Sequence, residues 1–381
     1  MTTTPLDQLE TPALLLDEAR MRANIARMAA RAVALGVALR PHVKTAKSLP
    51  AVLAMTGGHP GPVTVSTLRE ADALAPHGYT DITYAVGIVP NKFGHVARLL
   101  GQGVALRVIL DSLDAARALR AAADTLPAPL GVLIEIDTDG HRAGLAPDAP
   151  ALLTVAAALA GHPRLRLDGV LTHHGASYAG RDPDRLRAAA ETERAGAVAA
   201  ATRLRQAGHA APVVSVGSTP TALFAEHLQG VTEMRPGVYV FNDLMMAGVG
   251  VCGLEDIATS VLTAVVGQRS ERGWTLVDAG WMALSRDRGL AGAGTEDTGL
   301  GLVADAAGRL LDGYIVSAAN QEHGIVTHRS GDPARGLNLP VGTLLRILPN
   351  HACATAAQHA AYHVIDAAGA VVDSWPRFNG W

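Results

Sequence analysis

A chain of 381 residues, 49% hydrophobic but only 4% aromatic, is long for one compact core and must pack Ala, Val and Leu rather than large rings. Its formal net charge of −3 and pI near 6.6 leave no basic field for a nucleic-acid backbone. Met1–Glu10 lacks the basic and apolar regions of a leader, no apolar run reaches the ~18 residues of a membrane span, and two distant cysteines, Cys252 and Cys353, offer no disulfide framework; the expectation is a soluble, cytoplasmic protein with neither a nucleic-acid nor a membrane partner.

In chain order, Thr11–Asp17 reads as a first strand and a candidate partner for a sheet at the far end of the chain. Eight short apolar runs follow: Val37–Arg40, Val63–Ser66, Ile82–Val86, Ala105–Leu110, Val132–Ile136, Leu167–Thr172, Val213–Val216 and Gly237–Val240. Ala, Leu and Arg-rich helical stretches such as Leu113–Ala122 and Pro183–Ala207 separate them, the pattern of repeated βα units. The fold class is α/β, with a (β/α)8 TIM-type barrel over residues 20–250; an open doubly wound sheet is the alternative. After about Cys252 the texture changes to strands joined by Gly and Asp turns: Ile257–Val266, Trp274–Val277, Gly313–Val316, Leu344–Leu348, Tyr362–Ile365 and Ala370–Ser374. Residues 1–19 and 251–381 therefore read as a second, mostly β domain carrying a metal site. The Gly-rich Gly289–Gly301 reads as a mobile loop.

Chemistry enters with Arg40-Pro41-His42-Val43-Lys44-Thr45-Ala46-Lys47-Ser48, which sets a lysine just past the first barrel strand. Among 32 Lys plus Arg there are only three lysines, Lys44, Lys47 and Lys92. Arginine stays protonated, whereas a lysine amine can lose its proton and attack an aldehyde such as pyridoxal phosphate. Lys44 is the candidate covalent anchor, expected as a buried amine; the other reading is a solvated lysine at a strand end. In such a barrel the site lies at the C-terminal ends of the strands, with phosphate often held after strands seven and eight. Arg142 follows strand five, and His173, His174 and Tyr178 follow strand six. Gly217-Ser218-Thr219-Pro220-Thr221 follows strand seven and leads into a helix, either as a phosphate cradle or as an ordinary N-cap. Arg235-Pro236-Gly237-Val238-Tyr239 borders strand eight and offers further backbone donors.

Gly248–Gly253 matches the dinucleotide fingerprint in form, but no helix, strand and ribose-binding acid follow it, so it reads as a crossover between domains. A Gly-x-Ser-x-Gly elbow is missing, which removes the serine hydrolase reading. In Pro349-Asn350-His351-Ala352-Cys353-Ala354-Thr355, an extended segment would project His351 and Cys353 to one side, where both can bind one metal ion. Imidazole plus thiolate favours zinc, with manganese, cobalt or magnesium left open; a buried cysteine beside an exposed histidine is the alternative. In Asn320-Gln321-Glu322-His323-Gly324, Gln321 and His323 are candidates for supporting hydrogen bonds, or for a polar turn.

Taken together and in order, Thr-Pro-Ala-Leu, Arg-Pro-His-Val-Lys-Thr, Asp-Gly-His-Arg, Gly-Ser-Thr-Pro-Thr, Arg-Pro-Gly-Val-Tyr, Asp-Ala-Gly, Gln-Glu-His-Gly and His-Ala-Cys resemble the D-threonine aldolase and D-serine dehydratase family. That family belongs to the alanine-racemase-like, fold-type III enzymes of pyridoxal phosphate. The resemblance implies a barrel with a β domain, a homodimer, pyridoxal phosphate anchored on Lys44, Arg142 near its phenolic oxygen and Tyr178 facing its pyridine nitrogen. It implies phosphate binding by Gly217, Ser218, Thr219, Gly237 and Val238, with Tyr239 beside them, and a metal on His351 and Cys353.

Aldolases of the family typically carry His-x-Asp, and dehydratases His-x-Cys as here. Asp278–Gly289 and Pro349–Thr355 look closest to dehydratases of D-threo-3-hydroxyaspartate, whose second carboxylate needs a cation such as Arg286 or Arg288. The activity implied is removal of the β-hydroxyl of a D-3-hydroxy amino acid (3-hydroxyaspartate, serine or threonine) to a 2-oxo acid and ammonia. Retro-aldol cleavage to glycine and an aldehyde is the runner-up, and a non-catalytic pyridoxal phosphate carrier is the alternative from another class.

Overall fold

Apolar runs that alternate with helical stretches become strands buried on both faces, the pattern of a parallel sheet wrapped in helices. In the computed structural model, which describes residues 4–179, 181–289 and 296–380, β1 (Ala13–Asp17) precedes eight such strands. These are β2 (Ala38–Leu39), β3 (Val63–Val65), β4 (Asp81–Gly87), β5 (Ala105–Leu110), β6 (Leu130–Ile136), β7 (Leu165–Thr172), β8 (Val213–Val216) and β9 (Glu233–Met234). Each pairs in parallel with the next from β3 to β9, and β9 pairs with β2. A parallel bridge between His42 and Thr64, with Val43 N–Thr64 O and Thr64 N–Pro41 O hydrogen bonds of 2.9 Å, joins the end of β2 to β3. The ring is thus closed, and the open-sheet alternative falls. Contacts gather this barrel unit from Ala26–Lys47 and Ala51–Gly237.

Helix boundaries follow their caps: Ser112 accepts from Ala115 N at the start of Leu113–Ala122, and Asp182 from Asp184 N at the start of Pro183–Gln206. The last barrel strand is earlier than Gly237–Val240, where the sequence places it. Pro236 has no N–H to donate to a ladder, and Val238–Val240 coils into a single 3₁₀ turn.

Strand ends also carry a charge network. Arg40 is 4% exposed, its Nε lies 2.8 Å from Glu233 and its other nitrogens 2.9 and 3.0 Å from Asp81, which Arg107 also binds at 2.6 Å. Removing one member strands the others. Arg40→Ala should lower stability by about 3–5 kcal/mol, read as a shifted urea midpoint; a shift under ~1 kcal/mol would mean that water replaces the guanidinium.

The β unit, chiefly the residues up to Ile25 and Val238–Asn379, holds β10 (Thr259–Arg269), β11 (Trp274–Val277), β12 (Leu302–Asp305), β13 (Leu310–Ala319), β14 (Gly324–His328), β15 (Leu344–Leu348), β16 (Ala361–Ile365) and β17 (Val371–Pro376). β11, β14, β13, β12, β15 and β10 pair in that order, and β10 returns to β11 through a bulge at Val265/Gly267, so six strands close a second barrel. β1 extends it as the sequence anticipates, antiparallel to β10 and parallel to β16, with Ala13, Leu15, Leu262 and Ile365 in one apolar cluster. Two strands, β12 and β14, go beyond those read from the sequence.

Residues 290–295, within the stretch read as a mobile loop, lie outside the described residues. Among the described residues no helix is long and apolar enough to cross a membrane.

Candidate active site

The loops after β2, β6, β7, β8 and β9 all leave the same end of the parallel barrel, and His173 joins them. Its Nδ1 lies 2.6 Å from the Gly217 carbonyl, so the N–H sits on Nδ1, and its ring centroid is 5.9 Å from that of Tyr178. Burial, followed by the charges of Lys44, Arg142 and Arg235, pulls its pKa down to about 3, so the imidazole is neutral. His42 is held well below its usual value by burial and then by Lys44 and Arg235. The structure therefore brings Lys44, Arg142, His173, Tyr178 and Gly217 together.

Two of the three lysines serve other ends. Lys47, at φ +42, pairs with the buried Glu70 at 3.1 Å and donates to Gly380 O at 3.2 Å, and Lys92 donates to the Tyr84 hydroxyl. The Lys44 ammonium makes no hydrogen bond or ion pair among the described residues. It is exposed rather than buried: the turn after β2 buries Val43, Thr45 and Ala46 and leaves the Lys44 stem uncovered.

Ser218 and Thr221 form a reciprocal cap, each bond 3.1 Å, at the start of the short helix Thr219–Phe224. Ser177 Oγ lies 3.0 Å from Ser218 Oγ. Gly217 is obligatory: at φ +152 its Cβ would stand 2.6 Å from Arg235 N. A Cβ on Gly237 would stand 3.0 Å from His42 O. The loops after β8 and β9 thus pack backbone to backbone beside the Lys44 turn, with Thr219, Val238 and Tyr239 buried in their own segments. A phosphorylated aldehyde fits this donor set, because Lys44 can take the carbonyl and the excess of positive charge around His173 suits a phosphate.

Three further residues gather here: His42 and Arg235, which the sequence reading names only within their motifs, and Glu193, which it does not name. Arg235 donates to Ser215 Oγ and Thr172 O at 2.6 and 2.7 Å. Glu193 Oε1 accepts from His174 N at 2.9 Å and Gly217 N at 3.3 Å, and burial raises its pKa. The available signal was a glutamate between Ala190 and Ala197 on the buried face of a helix. His174 is buried against the Thr138 hydroxyl at 3.1 Å.

In the β unit, His351 is the extended N-cap residue of the helix Ala352–Ala356, and Cys353 lies in that helix rather than in an extended segment. The helix starts there because buried Asp243 accepts from Ala352 N at 2.9 Å. His351 and Cys353 still meet through a side-chain hydrogen bond. Asp287 Oδ2 lies 2.7 Å from His351 Nδ1, and Asn350 donates at 3.0 Å to the Asp287 carbonyl. Against burial, Asp287, Cys353 and Asp243 raise the His351 pKa to about 11. Among the described residues, no group of three His, Cys, Asp or Glu is arranged to hold a metal ion. The donor set that fits a divalent cation is one imidazole oriented by a carboxylate, plus one thiolate, with the remaining positions open.

Gln321 and His323 occupy the exposed turn between β13 and β14, whose Asn320 and Gln321 carbonyls accept from Trp281 N and Met282 N. Neither side chain is hydrogen-bonded to His351 or Cys353. Arg286 lies over the Trp281 ring at 4.2 Å, and Arg288 pairs with Asp297 at 3.1 Å.

Residues 16–244 match the alanine racemase N-terminal domain family, and 258–365 match a serine dehydratase domain. Over 377 residues, 98% of both chains, the sequence is 50% identical to the D-threo-3-hydroxyaspartate dehydratase of Delftia sp. (strain HT23). The chain belongs to the alanine-racemase-like, fold-type III family of pyridoxal phosphate enzymes. Within it, a D-serine dehydratase of Schizosaccharomyces pombe is 31% identical over 99% of this chain and 93% of that protein. Among solved structures, a C353A mutant of D-threo-3-hydroxyaspartate dehydratase in the metal-free form superposes with a TM-score of 0.95, at 49% identity over 100% of both chains. D-threonine aldolase from Filomicrobium marinum superposes at 0.83, with 27% identity over 99% and 97%. Family members so named are lyases, so the carrier reading is set aside.

Proposed function

We propose that this family member is a dehydratase that removes the β-hydroxyl of a D-3-hydroxy amino acid, D-threo-3-hydroxyaspartate foremost, giving a 2-oxo acid and ammonia. It works with pyridoxal phosphate and one divalent metal, zinc by donor chemistry, as a cytoplasmic homodimer. The observation that carries the reading is the His351–Cys353 pair with Asp287 behind the imidazole. Hydroxide is a poor leaving group, and a nitrogen–sulfur donor pair with open positions is what a Lewis acid at the β-oxygen requires.

Pyridoxal phosphate, when bound, takes up the electron pair left at Cα, and the metal draws density from the β-oxygen. Lys44 Nζ would anchor the cofactor and, as the free amine, would take the Cα proton. Arg142, Arg235 and the loops at Gly217–Thr219 and Gly237–Tyr239 would hold the cofactor's anionic groups. His173, with its proton fixed on Nδ1 by Gly217 O, offers Nε2 as a neutral acceptor. Asp287 holds the Nδ1 proton of the His351 imidazolium, so the Nε2 proton is the one that would be given up to a metal. The released enamine hydrolyses in water, giving oxaloacetate from 3-hydroxyaspartate.

Asp287→Asn should therefore weaken metal binding about 10–100-fold, measured by competition with a chromophoric chelator; unchanged affinity would remove Asp287 from this role.

The deciding assay offers D- and L-serine, threonine and 3-hydroxyaspartate with and without chelator, and reads ammonia plus 2-oxo acid against glycine plus aldehyde. Chelator-sensitive ammonia from a D-isomer is the expected result. Glycine plus aldehyde would instead establish the aldolase reading, which rests on the weaker likeness to the Filomicrobium enzyme. No turnover with cofactor and metal bound would reject both.

A further inference from the structure

Arg346 is the third residue of β15, opposite Leu262 on β10 and Ala304 on β12. Both edges of β15 are paired at this point, so the backbone is fixed and the side chain is held among apolar cross-strand neighbours, 7% exposed. Its charge is unanswered. Among the described residues the guanidinium makes no hydrogen bond and no ion pair, and Nε is buried without a partner. Asp17 and Asp305 are the carboxylates that act on it, but both are committed elsewhere. Asp17 pairs with Arg20 at 3.1 Å and accepts from Arg20 N, and Asp305 pairs with Arg309 at 2.7 Å and accepts from Ala307 N and Arg309 N. An arginine does not escape burial by losing its proton, and an unpaired buried charge is unfavourable.

The guanidinium borders a cavity of about 580 Å³ in the β unit, lined also by Asp17, Arg20, Glu255, Leu310 and Asp366. None of its lining residues belongs to the centres described above. That volume lies within the ~300–1,000 Å³ of small-molecule sites. Gly308 and Gly369, in the turns β12–β13 and β16–β17, have φ of +85 and +83, and a Cβ on either would stand 3.3 Å from Arg346 Nη1 or Nη2. At either position a side chain would crowd the guanidinium.

We propose that this cavity binds a small α-amino acid as its zwitterion, the carboxylate on Arg346 and the ammonium on Glu255 and Asp366. A guanidinium matches a carboxylate in a two-point hydrogen bond. Asp17, Glu255 and Asp366 line the same cavity as the arginine, which disfavours phosphate or a dicarboxylate and suits a ligand that brings its own positive charge. Asp366 uses only Oδ1 in its turn, accepting from Ala368 N and Ala370 N at 2.9 Å, and Glu255 is exposed with no hydrogen bond among the described residues. The proposal does not depend on the dehydratase reading.

Equilibrium dialysis of the holoenzyme with labelled L-alanine, which has no β-hydroxyl to lose, tests it on wild type, Arg346→Gln and Ala307→Trp. Ala307 is an exposed lining residue, so the tryptophan plugs the cavity while the guanidinium stays, and this variant answers if Arg346→Gln fails to fold. Both variants should lose one wild-type equivalent per chain or bind it about tenfold or more weakly. Acetate should displace the alanine and n-propylamine should not, while pyruvate should compete about tenfold less well than alanine itself. Coincident isotherms for the three proteins would overturn the site. Displacement by propylamine but not acetate would overturn Arg346 as the anchor, and pyruvate competing as well as alanine would overturn the zwitterion.

Discussion

Lys44→Ala is expected to lower turnover by about 10³-fold or more, with Lys44→Arg no better. The pair separates charge from chemistry: arginine preserves the cation beside His42 and His173 but cannot condense with an aldehyde. Borohydride reduction of the wild-type holoenzyme should leave the cofactor's mass on the peptide containing Lys44. Lys47 lies in the same peptide, yet its ammonium pairs with Glu70, whose side chain also accepts from Ser66 N and Oγ. A Lys47→Arg protein should consequently keep the label, whereas Lys44→Arg should lose it. Both Lys44 variants should retain the wild-type melting behaviour of the cofactor-free protein, since the side chain is exposed and supports no packing. A Lys44→Ala enzyme that turns over at wild-type rate would sink the whole scheme, because the other two lysines are engaged elsewhere, Lys47 with Glu70 and Lys92 with the Tyr84 hydroxyl.

The barrel was legible because its strands are buried on both faces and so appear as unbroken apolar runs; β3 and β6 show this plainly. β9 escaped because it is two residues long and one of them, Glu233, serves the Arg40 charge network rather than the apolar core. Proline and glycine then placed the apolar Val238–Val240 outside the sheet. In the β unit, β14 buries every second residue and begins at Gly324, which gives a weak local signal beside polar turns. The same contrast runs through the site. The candidates Lys44, Arg142, His173 and Tyr178 stand out in the sequence because each follows an apolar run in a barrel whose strand ends share one mouth. Asp287 does not, since it meets His351 across 64 residues, nor does Asp243, which meets Ala352 N across 109. Such partners are chosen by tertiary packing and leave no periodic trace.

Cys353→Ala should cost elimination about 10³-fold, the scale of the several kcal/mol a Lewis acid supplies, while cofactor absorbance on Lys44 stays at full occupancy. The reason lies in the donor set. With the thiolate gone, only the His351 imidazole remains among the two ligand candidates, and a single nitrogen does not retain a divalent ion against water. Metal content after dialysis should fall with activity, and chelator-treated wild type should behave like the variant. His351→Ala should match it, and the double variant should be no worse than either, because residues that act through one ion do not contribute additively. A double variant slower than both by a further factor near their product would mean that His351 and Cys353 act separately, for instance as a proton donor and a packing group. Cys353→Asp keeps an anionic ligand beside an imidazole still oriented by Asp287, so it should recover metal. If its recovered activity still releases ammonia rather than glycine, the choice between elimination and retro-aldol cleavage lies with the placement of the Cα proton and β-oxygen, not with the sulfur itself.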